Sequence, residues 1–209
     1  MLDNMKKFLT SLLPLPIFIL IMCSMPITAS ATTCLNNGNL TFSVIGSTCV
    51  AFVTATGVST FTAPSDWNDG NNKVECIGSG GNGVHYGTSG YAGAGGGGGS
   101  YAYVNNVSAS QSTVNLYVEA GGGGTGLATY FQDKTSTTVL SCTGAGNGTN
   151  ATAGAAGVVG TGTGFSGGIG GTGDAALGKP GGGGVDGATA FSGGTGGSGI
   201  IVITYWPKL

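Results

Sequence analysis

Charged side chains are scarce in this chain. Only 7% of its 209 residues are Asp, Glu, Lys or Arg, the formal net charge at pH 7 is -2, and arginine is absent altogether. So little positive charge excludes the attraction to phosphates on which nucleic-acid binding depends. Disorder driven by high net charge is excluded too, because the mean hydropathy is positive, at +0.28.

Residues of the kinds that enzymes use are equally few. His85 is the only histidine, and a general base needs a nucleophile and an orienting carboxylate beside it. Asp66 and Asp69 flank Trp67 and are reminiscent of a glycosidase carboxylate pair, but Asp is also typical of turns. We predict a non-enzymatic protein without a cofactor, and a hydrolase of wall or matrix polymers is the alternative.

Metal-binding patterns are missing as well. No two cysteines have C-x-x-C spacing and His85 is distant from all of them in sequence, so a structural zinc site is not expected. The segment GGGGVD, 181–186, fits one turn of a calcium-binding nonapeptide repeat. A single copy has no neighbour on which to stack, so the sequence predicts no metal site.

Residues 1–31 have the pattern of a secretory signal peptide. Two lysines precede an apolar run that prolines interrupt, and Ala29–Ala31 supplies the small residues of a cleavage site. A membrane anchor is the alternative interpretation of this segment, but Pro14 and Pro16 interrupt its apolar run and a small-residue site follows it. No later segment is long enough to span a bilayer. We therefore predict a secreted protein, extracellular or at the cell surface, with no membrane contact after cleavage.

One of the five cysteines, Cys23, lies in the predicted signal peptide. The other four, an even number, are typical of a disulfide-bonded exported chain. Three connectivities are open to them. Cys76 and Cys142 each follow a strand-like run and precede a Gly-x-Gly and an Asn-Gly, which suggests equivalent positions on neighbouring strands. We expect Cys76 to pair with Cys142, and Cys34 to pair locally with Cys49.

What the chain has in excess is glycine, 45 residues in all. In several blocks glycine recurs at every third position, and this is the period of the left-handed extended helix. These blocks include Gly93, Gly96 and Gly99, then Gly154, Gly157 and Gly160, and then Gly164, Gly167, Gly170 and Gly173. A flexible linker is the alternative, but apolar residues such as Phe165 and Ile169 have no place in one. The period therefore predicts a bundle of short extended helices whose backbones pack against each other.

The segments between the glycine blocks have the composition of β-strands, and no helical period follows the signal. The predicted fold is all-β with a bundle of glycine-rich extended helices of the polyglycine type. The predicted organisation is a signal peptide (1–31), an N-terminal β segment (32–58) and a glycine-rich β and polyglycine-helix domain (59–209).

The order of motifs from Ser59 to Tyr205 resembles a known family. STFTAPSDWNDGNNKVECIGSGGNG, then GAGGGGGSYAYVNNVSASQSTVNLYVEAGGGG, then a tail ending in GGSGIIVITY are similar to the glycine-rich domain of bacterial surface proteins and phage tail proteins. The resemblance implies a bundle of polyglycine-type helices, with recognition residues in loops at the ends of the bundle.

Aromatic residues are the candidate contacts of such a protein. Trp67, Tyr86 and Tyr91 lie in predicted loops, where a ring can stack on a sugar or anchor a partner, although packing is the alternative role. We predict an extracellular structural or adhesion protein that binds a surface glycan or forms a homo-oligomer or filament through free strand edges, those of IIVITYW and the Asn39 region. An ice-binding protein and a phage-type receptor-binding adhesin are the alternatives.

Overall fold

The computed structural model describes residues 33–36, 40–84, 94–122, 128–149, 152–170 and 195–208. This part of the chain contains eleven β-strands and no helix, so an all-β fold is confirmed for it. The strands are β1 (Ser43–Ile45), β2 (Thr48–Val53), β3 (Gly57–Thr62), β4 (Asn72–Ile77), β5 (Tyr101–Asn105), β6 (Thr113–Val118), β7 (Ala128–Gln132), β8 (Thr138–Thr143), β9 (Val159–Thr161), β10 (Thr163–Phe165) and β11 (Ile200–Tyr205).

The strands form two antiparallel sheets. The six-stranded sheet has the order β1-β2-β11-β4-β5-β10, and the five-stranded sheet has the order β3-β6-β7-β8-β9. Segment 32–58 contributes β1 and β2 to the six-stranded sheet and the first residues of β3 to the other. Both sheets therefore draw on this segment and on the glycine-rich part of the chain.

Alternation of apolar and polar residues decides which side of each strand is buried. In β6, Val114, Leu116 and Val118 are buried while Thr113 and Asn115 are exposed, as the two-residue period of a strand requires. The same rule in the longer strands produces a hydrophobic cluster that draws on the inner faces of both sheets. The two sheets consequently pack face to face.

Both predicted disulfide bonds are present. Cys34–Cys49 closes a separation of 15 residues, and Cys76–Cys142 joins β4 to β8 across a separation of 66. The second pair lies on strands of different sheets that face each other across the core, whereas the sequence suggested neighbouring strands. A bridge of that span restricts the unfolded chain and contributes about 4 kcal/mol in the chain-entropy model.

The expected free edge at the C-terminal strand is not found. β11 lies between β2 and β4 and pairs with both, so the apolar run of IIVITYW belongs to the middle of a sheet. Asn39 lies outside the described residues. Two short strands, β9 and β10, occupy positions that the glycine period assigned to extended helices. Gly162, with a φ of 109°, connects them and lets the chain pass from one sheet to the other.

Aromatic rings fill one end of the space between the sheets. Trp67 is completely buried, and its ring centroid lies 5.2 Å from those of Phe61 and Tyr205. The indole Nε1–H donates to the carbonyl of Val107 at 3.3 Å, so this buried donor is satisfied. The cluster closes the end of the core opposite to the glycine-rich segments.

At the other end, strands continue into glycine-rich segments that hydrogen-bond to one another. The segments are 78–84 after β4, 94–100 before β5, 119–122 after β6, 144–149 after β8, 152–158 before β9, 166–170 after β10 and 195–199 before β11. Successive bonds between two segments step by three residues along each. N–H groups of Gly78, Gly81 and Val84 donate to the carbonyls of Ser100, Gly97 and Ala94, and those of Gly154 and Gly157 donate to Gly95 and Gly98.

The intervening residues bond to other neighbours. Between Gly78 and Gly81, for instance, the N–H of Gly80 donates to Gly197 at 2.8 Å while its carbonyl accepts from Gly122 at 2.9 Å. One segment thus has hydrogen-bonded neighbours on several sides. This arrangement satisfies backbone groups that belong to no strand.

The segments approach too closely for side chains. A Cβ added at Gly81, Gly97 or Gly196 would lie closer than 3.0 Å to backbone atoms of another segment, whereas one added at Gly168 or Gly197 would meet nothing within 4 Å. Glycine is therefore required at some of these positions by contact and at others it is not. Which glycines belong to the first group follows from the three-dimensional packing.

Gly196→Ala and Gly197→Ala form a matched pair that tests this packing. The first change sets a methyl group against the backbone of Gly80 and should lower the free energy of unfolding by about 1–3 kcal/mol or more. The second points into open space and should leave the stability unchanged or raise it by about 0.4–1 kcal/mol. Guanidinium unfolding of the oxidised proteins measures both, and equal stabilities would contradict the packing described.

Candidate functional site

The outer side of the six-stranded sheet carries exposed apolar and aromatic side chains. We call it the aromatic face and define it by Phe52, Ile77, Tyr101, Tyr103 and Phe165. Phe165 is 73% exposed and Phe52 60% exposed. Exposed rings this large on one sheet mark a surface that can contact a partner.

Strand register brings these residues into adjacent rows. Ile77 on β4 lies opposite Tyr101 on β5, which in turn lies opposite Phe165 on β10. Cys76 precedes Ile77 on β4, Ala102 follows Tyr101 on β5, and both are buried in the core. Since successive side chains of a strand point to opposite sides, Ile77 and Tyr101 point outward. Residues that are distant in sequence therefore form one continuous strip across three strands.

A single ion pair lies in the middle of the aromatic face. Lys73 Nζ is 2.7 Å from Glu75 Oε1, and the Tyr101 hydroxyl donates to the same oxygen at 2.6 Å. Lys73 Nζ also lies 4.9 Å from the centroid of the Tyr103 ring, within the range of a cation–π contact. These contacts hold both tyrosines in place.

The pKa values of this group follow from the same contacts. Partial burial opposes ionisation of Glu75, but hydrogen bonds from Lys73 and Tyr101 outweigh it and keep the pKa below its ordinary value. The hydrogen bond to Glu75 raises the pKa of Lys73. Burial, assisted by Glu75, raises the pKa of the Tyr101 hydroxyl. The carboxylate and the ammonium are consequently both charged across the neutral range.

Flat rings beside a fixed carboxylate and ammonium can bind a partly apolar, partly polar ligand. The rings offer area for a face of C–H groups, and the charged pair offers an acceptor and a donor for hydroxyl groups. Sugars combine both features. The aromatic face is therefore our candidate binding surface.

Of the residues singled out in the sequence, Trp67 lies in the core, where no ligand in solvent can reach it. Tyr86, Tyr91, His85 and the 181–186 segment lie outside the described residues.

Both aspartates of the turn hold the structure together. The Asp69 carboxylate accepts hydrogen bonds at 3.0 Å from the amides of Ala109 and Ser110. Burial opposes its ionisation, but these amides prevail and lower its pKa. Asp66 accepts a hydrogen bond from the Tyr205 hydroxyl at 3.1 Å. Each aspartate therefore already has a structural partner.

Sequence reasoning assigned binding to aromatic residues in predicted loops, and not to the residues of the aromatic face. A usable signal was present in SYAYV, where two tyrosines alternate with a small residue, as expected for a strand with an exposed face. Phe165 gave no such signal, because it belongs to a three-residue strand within a glycine block. Only strand pairing places it beside Tyr101.

The outer side of the five-stranded sheet is different in character. Its side chains are uncharged and mostly carry hydroxyl or amide groups, as in the Thr62–Thr113 pair with 2.9 Å between hydroxyl oxygens. Tyr117 and Tyr130 stack there with centroids 5.7 Å apart. Val58, which is 74% exposed, lies opposite Tyr117, and Tyr117 lies opposite Tyr130. This side therefore also has an apolar row, but without the charged pair that accompanies the tyrosines of the aromatic face.

One carboxyl group is buried where the sheets meet the glycine-rich segments. Glu119 is completely buried, and among the described residues neither of its carboxyl oxygens has a hydrogen-bond partner. The buried hydroxyl of Ser79 is likewise unpartnered there, and a Cβ added at Gly144 would contact both side chains. Burial raises the pKa of Glu119, and the neighbouring Ser79 and Gly144 offset only part of that effect.

No protein-family model matches the chain, and no curated protein matches it. In the part of the chain that the structure describes, no group of three or more His, Cys, Asp or Glu side chains could hold a metal ion. Within the same residues there is also no helix with the length and apolarity to cross a membrane. The two disulfide bonds are typical of a protein that folds in an oxidising environment.

Glu119 predicts a specific dependence of stability on pH. Its folded-state pKa is raised above the ordinary 4.5, so its contribution is full below about pH 4.5 and is lost as pH rises through the folded-state pKa. Glu119→Gln keeps the shape without the charge. We expect the variant to gain stability relative to the wild type as pH rises above 4.5, measured by urea unfolding across pH.

Glu75→Gln is the matched control. The pKa of Glu75 is lowered, so its contribution is present above pH 4.5 and is lost as pH falls through the folded-state pKa. The two variants should therefore differ from the wild type with opposite signs. A Glu119→Gln profile parallel to that of the wild type at every pH would refute the assignment.

Proposed function

We propose that the chain is an exported, non-enzymatic protein that attaches to, or forms part of, an extracellular matrix by binding carbohydrate polymer at its aromatic face. The observation that carries the proposal is the outward-facing strip of exposed Ile77, half-buried Tyr101 and exposed Phe165 beside the Lys73–Glu75 pair. The phage-type adhesin alternative would use the same chemistry on a receptor glycan.

Rigidity of the scaffold supports this function. The rings stand on neighbouring strands and not on loops, and a disulfide behind them joins β4 to the other sheet. A binding surface that is already ordered loses little conformational entropy when a polymer is bound.

We propose further that the glycine-rich segments form a bundle of polyglycine-type helices. Support comes from hydrogen bonds that step by three residues, from neighbours on several sides of one segment, and from contacts that exclude a Cβ. A three-residue turn without internal hydrogen bonds has these properties. In this interpretation the bundle is a stiff spacer that suits a structural or adhesive protein.

A non-enzymatic role agrees with the use of the two turn aspartates. Asp66 and Asp69 hold loops together through Tyr205, Ala109 and Ser110, as described above. A catalytic pair would need carboxyl groups free to exchange protons with a substrate.

Sedimentation with insoluble polysaccharides tests the proposed function. We expect the oxidised protein to bind one or more of cellulose, chitin and peptidoglycan, and Tyr101→Ala or Phe165→Ala to weaken binding about tenfold, as for a central aromatic contact. Tyr117→Ala is the matched control, since that ring lies on the outer side of the other sheet. Failure to bind any polymer, or equal loss in all three variants, would overturn the proposal.

The hydroxyl-rich outer side of the five-stranded sheet favours ice binding as a second candidate. It presents uncharged threonines on neighbouring strands, and the hydroxyl oxygens of Thr62 and Thr113 lie 2.9 Å apart. If it binds ice, a cooled solution of the protein shows thermal hysteresis, and Thr113→Lys removes it because an exposed ammonium replaces one of the paired hydroxyl groups. A solution without hysteresis ends this candidate and leaves the first untouched.

A further inference from the structure

Of the four strands that border the two sheets, β3 is by far the longest. It has six residues, whereas β1, β9 and β10 have three each. β3 pairs with β6 along one side over its whole length, and no other strand in the described part of the chain pairs with it. Its second side therefore presents a row of backbone N–H and C=O groups.

The β3 edge lacks the features that usually keep such a strand from pairing. Proline and charged residues block edge-to-edge association, but β3 contains neither, and the first charged residue after it is Asp66. Preceding residues are uncharged as far back as Cys34. Val58, on this strand, is 74% exposed.

We propose that a second copy of this chain pairs with β3 in antiparallel fashion, so that two five-stranded sheets join into one sheet of ten. Under two-fold symmetry, β3 of one copy pairs with β3 of the other. A charged residue on β3 would therefore lie close to the same charge on the partner, and the two would repel. An uncharged strand satisfies that condition. Pairing would also cover Val58 and satisfy the free backbone groups.

Pairing through β3 produces a dimer and not a fibre. A two-fold contact uses the same edge on both chains and closes on itself, whereas a fibre needs two different complementary edges. The opposite edge of this sheet, β9, is only three residues long and continues through Gly162 into the other sheet. The β3 contact therefore predicts discrete dimers.

Sedimentation equilibrium of the full exported, oxidised protein, from micromolar to millimolar concentration, tests the contact. We expect a monomer–dimer equilibrium in the wild type and a dissociation constant at least about tenfold higher in Thr60→Lys, since like charges then meet at the centre of the contact. Thr161→Lys, the same change on the β9 edge, should leave the equilibrium unchanged. A monomer throughout, or a dimer insensitive to Thr60→Lys, overturns the proposal.

A second variant with the opposite charge at position 60 separates loss of the contact from a folding defect. Thr60→Glu should also be monomeric, and a mixture of the Thr60→Lys and Thr60→Glu proteins should form a dimer, which two misfolded proteins would not do. Absence of a mixed dimer from two folded monomers counts against the contact at β3.

This inference depends on the proposed function only in treating the chain as exported and disulfide-bonded. The two can fail separately. Polysaccharide binding by a protein that is monomeric at every concentration refutes the dimer alone. Dimers that bind no polysaccharide refute the proposed function alone.

Discussion

Close contact between backbones is the constraint on which this structure depends. Glycine-rich segments of the described chain meet at one end of the two sheets, and a Cβ at Gly81 or Gly97 would overlap a neighbouring segment. Glycine costs more conformational entropy on folding than any other residue. The chain offsets that cost by hydrogen bonds between segments, by the hydrophobic cluster between the sheets, and by a disulfide that spans 66 residues.

The two ends of the structure are stabilised by different interactions. At one end, large rings around Trp67 bury apolar area and leave no donor unsatisfied. At the other end there are few side chains to bury, so hydrogen bonding carries the packing. Glu119 lies at the boundary, where burial raises the pKa of its carboxyl group and links the stability of that boundary to pH.

Little charge on the surface gives the outer sides of the two sheets distinct chemistry. The aromatic face combines exposed rings with the Lys73–Glu75 pair, and the outer side of the five-stranded sheet combines hydroxyl and amide groups without charge. The same shortage of charge leaves the β3 edge without the protection that edge strands usually have. Self-association through that edge is therefore left open by the scarcity of charge.

The local sequence pattern was sufficient to predict much of the fold, and pairing between distant segments determined the rest. Alternation in STVNLYV and the matched contexts of Cys76 and Cys142 predicted strands and a disulfide correctly, because strand period and cysteine context are properties of short segments. Sequence alone placed the last strand at an edge, Trp67 in a loop open to ligands, and 159–165 in extended helices. Sheet order, the burial of Trp67 and the strip that unites Ile77, Tyr101 and Phe165 came only from the tertiary structure, because each depends on contacts between residues far apart in the chain.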